Sequence, residues 1–303
     1  MNYRTETTQT NPPFLCRYRT VTPSTLEALQ AGKLFFSSPC YFNDAFDSVA
    51  YINEDQLIRS ISMQIENGIK SGYVPKSSFV TLPDDFARLC LKQFYDENRR
   101  RVFFDKVKSI ARELKSNVSN NTKVICFSED PLSTLMWGHY TGDNKGFALI
   151  FDYESLTNAP VYDANGRKLD EKTILGKMKY HQEMPDRSPL FFDELPFHFF
   201  ACKRRNVDKS FYKQLLFSKS KSWEYEKEWR LCAIGGDIHH MDPASYVQIE
   251  PAAIFLGPRM SDADRNSIFN ATKGKNMFFF DVIPDDSSRV QQLIFKEAAR
   301  PKE

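Results

Sequence analysis

The sequence predicts a single mixed α+β domain, over residues 14–303, that carries a helical insert. Three observations support this fold class. Short apolar segments of strand length lie towards both ends of the chain, while apolar residues recur at helical spacing between about 53 and 115. The last part of the chain then follows a strand–helix–strand order. With 303 residues, the chain is long enough to bury a sizeable core.

The individual elements follow from local patterns. The first 13 residues are rich in Thr, Asn and Gln and end in two prolines, so they predict a disordered tail. Helices are predicted over 23–30, where Gly32 gives a stop signal, and over 135–140, 197–216 and 262–272. Strands are predicted over 14–20, 33–37, 123–128, 145–152, 224–234, 253–256 and 276–282. Segments 161–164 and 178–182 predict an edge hairpin.

Whole-chain composition excludes several classes of protein. The formal net charge is +2, so the molecule as a whole is not a strong polyanion binder. The six cysteines are scattered and form no C-x-x-C pair, which argues against a disulfide framework or a zinc site and favours a reducing, cytoplasmic compartment. No apolar run approaches eighteen residues and the N-terminus is polar, so we expect neither a membrane span nor a signal peptide.

Glu226 and Glu228 are the first candidates for chemistry. In a strand, residues i and i+2 point to the same side, so both carboxylates would share one face of the predicted strand 224–234. Such a pair is retained where cations surround it or where a ligand needs it. Two interpretations are therefore open, a ligand-binding site or a strand face neutralised by basic neighbours such as Arg230.

Arg17 and Tyr18 form the second candidate. Arg17 and Arg19 share one face of the first strand, and Tyr18 takes the other. The planar fork of an arginine suits phosphate or carboxylate, although an arginine here could equally hold an acidic neighbour in a structural ion pair.

Two further groups have the right chemistry for a ligand. Ser37 and Ser38 lie at a strand end held by a proline, where hydroxyls can orient polar groups. His139 and Tyr140 lie in an aromatic segment, where a histidine can act as a base or hydrogen-bond a ligand, or can simply be packed. Asp44 and Asp47 are weaker metal candidates, because their spacing fits no calcium loop.

These segments together resemble a widespread bacterial family of unassigned function. The resemblance covers about 14–282, apart from the insert, and rests on FFSSPCYFNDAFD, CFSED, LMWGHY, KGFALIFD and KSWEYEKEWR in that order. The FNDAFD and EKEWR parts are the most diagnostic. A more distant resemblance, to ADP-ribosyltransferases, implies an activity and a split two-sheet core.

Those enzymes carry an Arg or His on the first strand, a serine motif on a later strand and a catalytic Glu near a final strand. The elements that match in this chain are Arg17–Tyr18, Phe36–Ser37–Ser38 and Glu226-x-Glu228. Ser128, in CFSED, fits the serine motif equally well.

The resemblance implies that NAD is the substrate and that Glu228 is the catalytic residue. Glu226 would orient or deprotonate the acceptor, and Arg17 would contact the cofactor phosphates. A carboxylate bound to the ribose 2′-hydroxyl stabilises the oxocarbenium-like transition state that forms as nicotinamide leaves. The other cofactor contacts would come from Ser37, Ser38, Tyr18, Tyr140 and His139.

The acceptor would be a nucleic acid or a protein. Basic segments at 99–112, 203–205 and 219–221 could follow an RNA or DNA backbone, although solvated helix faces look the same in sequence. By analogy with bacterial toxins and phage-defence effectors, the resemblance also implies an antitoxin or regulatory partner. Two alternatives stay open: a non-catalytic binding or sensor module, and a metal-dependent nuclease using Asp44, Asp47 and the two glutamates.

Overall fold

A sheet of eight strands, a sheet of four and a two-stranded pair organise the part of the chain that the structure, a computed structural model, describes. The described residues are 11–44, 46–48, 51–56, 59, 122–170, 173–187, 209–233 and 244–298, with a few helical positions between 96 and 116. The strands are β1 Phe14–Arg19, β2 Lys33–Phe35, β3 Lys123–Ser128, β4 Phe147–Asp152, β5 Val161–Tyr162, β6 Lys168–Leu169, β7 Thr173–Lys177, β8 Lys179–His181, β9 Ser218–Ser220, β10 Glu228–Ala233, β11 Tyr246–Gln248, β12 Ala253–Leu256, β13 Phe278–Pro284 and β14 Leu293–Glu297.

Helices separate these strands. They are α1 Pro23–Ala31, α2 Thr134–Tyr140, α3 Tyr153–Asn158, α4 Lys209–Leu216 and α5 Asp262–Ala271, with 3₁₀ segments at Pro39–Tyr41 and Lys221–Glu226. The start and end of α1 follow local chemistry. The Thr22 side chain accepts a hydrogen bond from the backbone N–H of Thr25, Pro23 occupies the first turn, and Gly32 ends the helix at a φ of 62°.

The larger sheet has eight described strands in the order β14-β13-β12-β4-β1-β3-β10-β7. All its neighbours are antiparallel except β12 and β13. The smaller sheet has the order β2-β11-β5-β6. The mixed α+β class predicted from the sequence is therefore confirmed.

Each face of the larger sheet has its own hydrophobic cluster. One cluster is the main core and includes Leu15 on β1, Phe127 on β3 and Leu231 on β10. The other includes Cys16 and Tyr18 on β1 and packs against α2 through its buried residues. Because side chains alternate along a strand, odd-numbered residues of β1 face the main core and even-numbered ones face α2. We call the second side the α2 face.

The two sheets diverge along one edge of β3. Near its C-terminal end, β3 pairs with β1, with Cys16 opposite Ser128. Near its start, the same edge forms an isolated bridge from Val124 to Ser37, which follows β2. One edge of β3 thus meets the first strand of the large sheet at one end and the β2 segment at the other.

By internal contacts the chain divides into two compact units. The first comprises 1–41, 121–180 and 221–303, and contains most of the elements above. The second comprises 42–120 and 181–220. In its described part, Tyr51 forms a parallel bridge with Asp186, and the Arg187 guanidinium donates to Gln214 and Ser218. Most of the predicted insert 53–115 lies outside the described residues, as do residues 1–10 of the predicted tail 1–13 and residues 197–208 of a predicted helix.

Two predicted elements need correction. The strand expected over 224–234 begins only at Glu228, because the preceding segment Lys221–Glu226 is a 3₁₀ helix. The expected hairpin between 161–164 and 178–182 does not form, since β5 pairs with β6 and β11 instead.

Candidate functional site

Three neighbouring strands place the central residues of the site side by side. Ser128 on β3 lies opposite Cys16 on β1 and opposite Glu228 on β10. Residues paired across a sheet point to the same side, so all three side chains lie on the α2 face. Neighbouring strands are about 4.8 Å apart, so β1 and β10 lie about 10 Å from each other, with Ser128 between them. This row is the centre of the candidate site.

Glu228 is held by Arg230 on the same strand. The Arg230 Nε lies 2.7 Å from the Glu228 Oε1, and a terminal guanidinium nitrogen lies 3.3 Å from the Oε2. The arginine side chain is 0% exposed and the glutamate side chain 5%. A two-point arginine–carboxylate contact fixes the orientation of the carboxylate. Because both charges are withdrawn from water, losing either partner would remove the opposite charge closest to the remaining one at a buried position.

Glu226 is fixed by two other residues of the site. The Tyr140 hydroxyl, on α2, donates to its Oε1 at 2.6 Å. The Ser128 hydroxyl donates to its backbone carbonyl at 2.6 Å and accepts from the backbone N–H of Asp130. Glu226 and Ser128 are both buried. The two glutamates are therefore held by different parts of the structure, although only one residue separates them.

That residue, Lys227, has an unusual backbone. Its φ is 45°, which is uncommon for a residue with a side chain. Its carbonyl accepts from the backbone N–H of Glu129, and its ammonium lies 2.9 Å from an Asp130 carboxylate oxygen. This left-handed residue separates the 3₁₀ helix from β10. The prediction that both glutamates lie on one strand is therefore wrong, because Glu226 precedes the strand.

Burial shapes the protonation of the groups around the pair. Cys126 lies opposite Arg230 in the strand register, and burial together with the nearby Glu228 charge raises the pKa of its thiol. Burial likewise raises the pKa of the Cys16 thiol and of the Tyr18 phenol. These three groups stay neutral near pH 7, so they offer no nucleophile to a ligand on the α2 face.

Arg17 does not share that face. It is odd-numbered on β1, so it lies on the main-core side of the sheet, opposite to the side of Glu228. Its guanidinium donates to the Cys126 carbonyl at 3.3 Å and lies 6.0 Å from the centre of the Phe127 ring. Burial, and then the nearby Arg19 charge, lowers the pKa of Arg17. It thus satisfies a β3 carbonyl near the point where β1 and the β2 segment diverge.

Tyr18 lies on the α2 face but is enclosed. Its ring meets Trp137 edge-on with centroids 5.3 Å apart, and its hydroxyl donates to the Asp130 carbonyl. The residue is buried. The expected stacking of a cofactor ring on Tyr18 therefore has no support in this geometry.

The two candidate serine motifs are separated along β3. Ser37 pairs with Val124, four residues before Ser128, so it lies about 13 Å further along the strand. Ser38 is buried and accepts a hydrogen bond from the Cys40 thiol at 3.2 Å. Ser128 contacts the Glu226 segment, because its hydroxyl donates to the Glu226 carbonyl.

Aromatic residues lie next to this network. Trp223 and Tyr225 have ring centroids 6.1 Å apart, and His139 lies 6.2 Å from Tyr225. We call these three residues the aromatic strip. His139 is exposed and the other two are half-buried. His139 also lies 6.5 Å from the ring of Tyr140, whose hydroxyl reaches Glu226.

The described residues contain no group of three or more His, Cys, Asp or Glu side chains that could hold a metal ion. Asp44 and Asp47 are both buried. The Asp44 carboxylate accepts from the backbone N–H of Phe46, as in an Asx turn, and Asp47 accepts from the Ser48 hydroxyl. The nuclease alternative therefore gains no support from the described part of the chain.

Sequence reasoning missed several residues of this site. Arg230 was considered only as a neighbouring cation, although its position two residues after Glu228 on a strand was a usable signal. Tyr180, whose hydroxyl accepts from the backbone N–H of Glu228 at 2.7 Å, had no signal in the sequence. Trp223 and Tyr225 had a weak signal in the sequence, since Tyr225 directly precedes Glu226 and Trp223 lies two residues before Tyr225.

The fold and the site together define a mixed α+β protein with a rigid pair of buried glutamates. Comparison with known proteins adds a family model described as "Protein of unknown function (DUF2971)", which matches residues 136–231. That range runs from α2 into β10 and covers about a third of the chain, including both glutamates. It supports a family of unassigned function. No curated protein and no solved structure matches the chain significantly.

The FNDAFD segment lies outside the matched range. Within the described residues, no helix is both long and apolar enough to cross a membrane.

Proposed function

We propose that this chain is an NAD-dependent ADP-ribosyltransferase, and that the E-x-E segment supplies its carboxylates. One observation carries the proposal: the first strand, the strand bearing Ser128 and the strand bearing Glu228 are neighbours, with Cys16, Ser128 and Glu228 in one row. The resemblance to ADP-ribosyltransferases needs a serine that supports the glutamate segment. Ser128 meets that need, because its hydroxyl binds the Glu226 carbonyl.

The reaction breaks the bond between C1′ of the ribose and nicotinamide. An acceptor oxygen or nitrogen then bonds to C1′ and loses its proton to a base or to water. Positive charge develops on the ribose in the transition state, and an ionised carboxylate in a fixed position stabilises it. Glu228, oriented by Arg230 on both carboxylate oxygens, is such a group.

Glu226 receives the second role. Its carboxylate accepts a hydrogen bond from the Tyr140 hydroxyl. In the proposal it orients or deprotonates the acceptor. Arg17 takes no part, because it lies on the other side of the sheet, and the proposal leaves the phosphate contact to residues not yet assigned.

A non-catalytic binding module is the second candidate function, and a specific observation favours it. Both glutamates are buried, and Glu228 is enclosed with Arg230 at 5% and 0% side-chain exposure. A carboxylate that is buried and paired with an arginine in this way can have a purely structural role, with no part in a reaction. The two functions make different predictions for the same variants.

The test is release of nicotinamide from NAD by the purified protein, followed by chromatography, with nucleic acid and cell lysate as separate acceptors. The transferase proposal expects release by wild type and loss of release in Glu226→Gln. Glutamine keeps the shape of Glu226 and an oxygen for Tyr140, so folding should survive. Lys227→Gln, next to it on the exposed surface, is the matched control and should keep activity.

Folding is checked for every variant by circular dichroism. No release by folded wild type with either acceptor contradicts the transferase proposal and favours the binding module. Release that persists in a folded Glu226→Gln and a folded Glu228→Gln would remove both glutamates from the mechanism.

A further inference from the structure

The aromatic strip is the least enclosed aromatic group beside the two glutamates. The chain has three tryptophans. Trp137 and Trp229 are 0% and 4% exposed, whereas Trp223 is half-buried. Trp223 is therefore the tryptophan of this chain whose ring is most open to water, and it lies beside the two other rings of the strip.

The rings of the strip are arranged side by side. Trp223 and Tyr225 are tilted by 33° and Tyr225 and His139 by 45°, so the rings do not lie flat on each other. The strip joins the 3₁₀ helix to α2. Flat aromatic rings of a ligand stack favourably on such side chains, and this stacking tolerates any base because every base has a π-face.

The surroundings of Trp223 are polar and exposed. Ser222 and Glu224 flank it directly, and the exposed cation Lys221 lies two residues before it. The charges of Lys221 and Glu224 offset each other, so stacking on the rings, and not attraction of a phosphate, carries the binding. On its other side the strip continues to Tyr140, which donates to the Glu226 carboxylate.

We infer that the aromatic strip of Trp223, Tyr225 and His139 binds a nucleobase of the molecule that receives ADP-ribose. That this molecule receives ADP-ribose rests on the proposed function. The strip lies beside Tyr140, whose hydroxyl donates to Glu226, the residue assigned to the acceptor. Binding of the base itself needs no NAD and no catalysis. The base can belong to a single-stranded nucleic acid or to a free nucleotide, and both share this stacking chemistry.

The test uses tryptophan fluorescence, because the two other tryptophans are buried and Trp223 is the one a ligand can reach. The full chain is titrated with single-stranded dodecamers of deoxyadenosine and of deoxythymidine, and separately with AMP. Quenching that saturates with the dodecamers alone identifies a nucleic-acid strand as the ligand. Saturation with AMP at the same affinity identifies the free nucleotide.

Variants separate stacking from general effects. Trp223→Leu removes the ring and should weaken binding, measured by anisotropy of labelled oligonucleotide or nucleotide, by roughly 5- to 150-fold. Trp223→Tyr keeps a ring and should restore most of it. Phe278→Leu is the matched control: Phe278 is an exposed aromatic, 65% exposed, on β13. Its strand lies five positions from β10 in the sheet, and the control should bind like wild type.

The inference is overturned if no base quenches the fluorescence, or if Trp223→Leu binds as tightly as wild type. Its failure is distinct from failure of the transferase proposal. Saturable, Trp223-dependent binding without nicotinamide release would leave base binding standing and refute the transferase. Nicotinamide release without base binding would support the transferase proposal and refute base binding by the aromatic strip. The acceptor would then be sought among proteins.

Discussion

The ion pair of Glu228 and Arg230 makes the sharpest stability prediction. Glu228→Gln keeps the size of the side chain but removes the carboxylate charge that lies 2.7 Å from the buried Arg230 guanidinium. Removing one partner of a buried pair costs about 3–5 kcal/mol of unfolding free energy. The side chains of Glu228 and Arg230 are 5% and 0% exposed, so their ion pair is a buried one. The cost corresponds to a fall in melting temperature of about 6–20 °C for a domain of this order of size.

Urea unfolding, followed by circular dichroism and by tryptophan fluorescence, measures the effect. Lys227→Gln is the control, because it breaks an ion pair to Asp130 whose side chains are 53% and 29% exposed. An exposed pair contributes less than about 1 kcal/mol, so this variant should remain close to wild type.

A double variant tests the reasoning behind the magnitude. Glu228→Gln combined with Arg230→Met removes both charges, so it should be less destabilised than the sum of the two single variants. A loss below about 1 kcal/mol in Glu228→Gln, or strict additivity in the double variant, would refute the claim that the pair is buried and coupled.

Three further predictions concern the surrounding structure. Ser128→Ala should cost about 1–3 kcal/mol, because it removes the buried hydroxyl that binds the Glu226 carbonyl and the half-buried N–H of Asp130, while Ser37→Ala should stay within about 0.5 kcal/mol; urea unfolding compares them, and equal losses would contradict the assignment. Lys227→Gly should be about 1 kcal/mol more stable than Lys227→Ala, since glycine adopts the positive φ without strain, and a more stable alanine variant in the same assay would count against that backbone. Burial raises the pKa of the Cys16 thiol, so its thiolate fraction at pH 8 is small. Iodoacetamide with peptide mapping should therefore label the exposed Cys40 in the native protein and Cys16 only after denaturation, and early labelling of Cys16 would disprove its burial.

Much of the fold could be predicted from local signals. The first helix carries its own start and stop, from Thr22 to Gly32, and its observed bounds agree closely with the prediction. The strand at Lys123–Ser128 was visible as a short apolar run and is buried along most of its length. These elements are decided by neighbours in sequence, so sequence patterns describe them well.

The segment around Glu226 could not be predicted in the same way. Its alternation of aromatic and acidic residues is typical of a strand, but the backbone turns at Lys227, where φ becomes positive. A lysine gives no signal for such a turn, because the conformation is imposed by contacts to Glu129 and Asp130, almost a hundred residues away in sequence. Long-range contacts therefore determine the conformation of this segment, and they override the strand that the local pattern predicts.

The same limit applies to the site. Alternation along β1 predicts that Arg17 and Tyr18 face opposite sides of the strand, and the neighbouring Leu15 and Cys16 do lie in different clusters. The sequence could not show whether Arg17 or Tyr18 shares a sheet face with Glu228. That depends on how β1, β3 and β10 pair, and these strands are far apart in sequence. The choice between Ser37 and Ser128 had the same cause, since Ser128 ends β3, Ser37 bridges to its Val124, and only the register separates them.

The most direct test of the transferase proposal is the fate of the ADP-ribose group. Purified protein, NAD and single-stranded oligonucleotide are incubated together, and the oligonucleotide is then weighed by intact mass spectrometry. The proposal predicts an added mass of one ADP-ribose on the oligonucleotide, matched by released nicotinamide and absent with folded Glu226→Gln. Unmodified oligonucleotide and intact NAD after prolonged incubation with folded wild-type protein would contradict it.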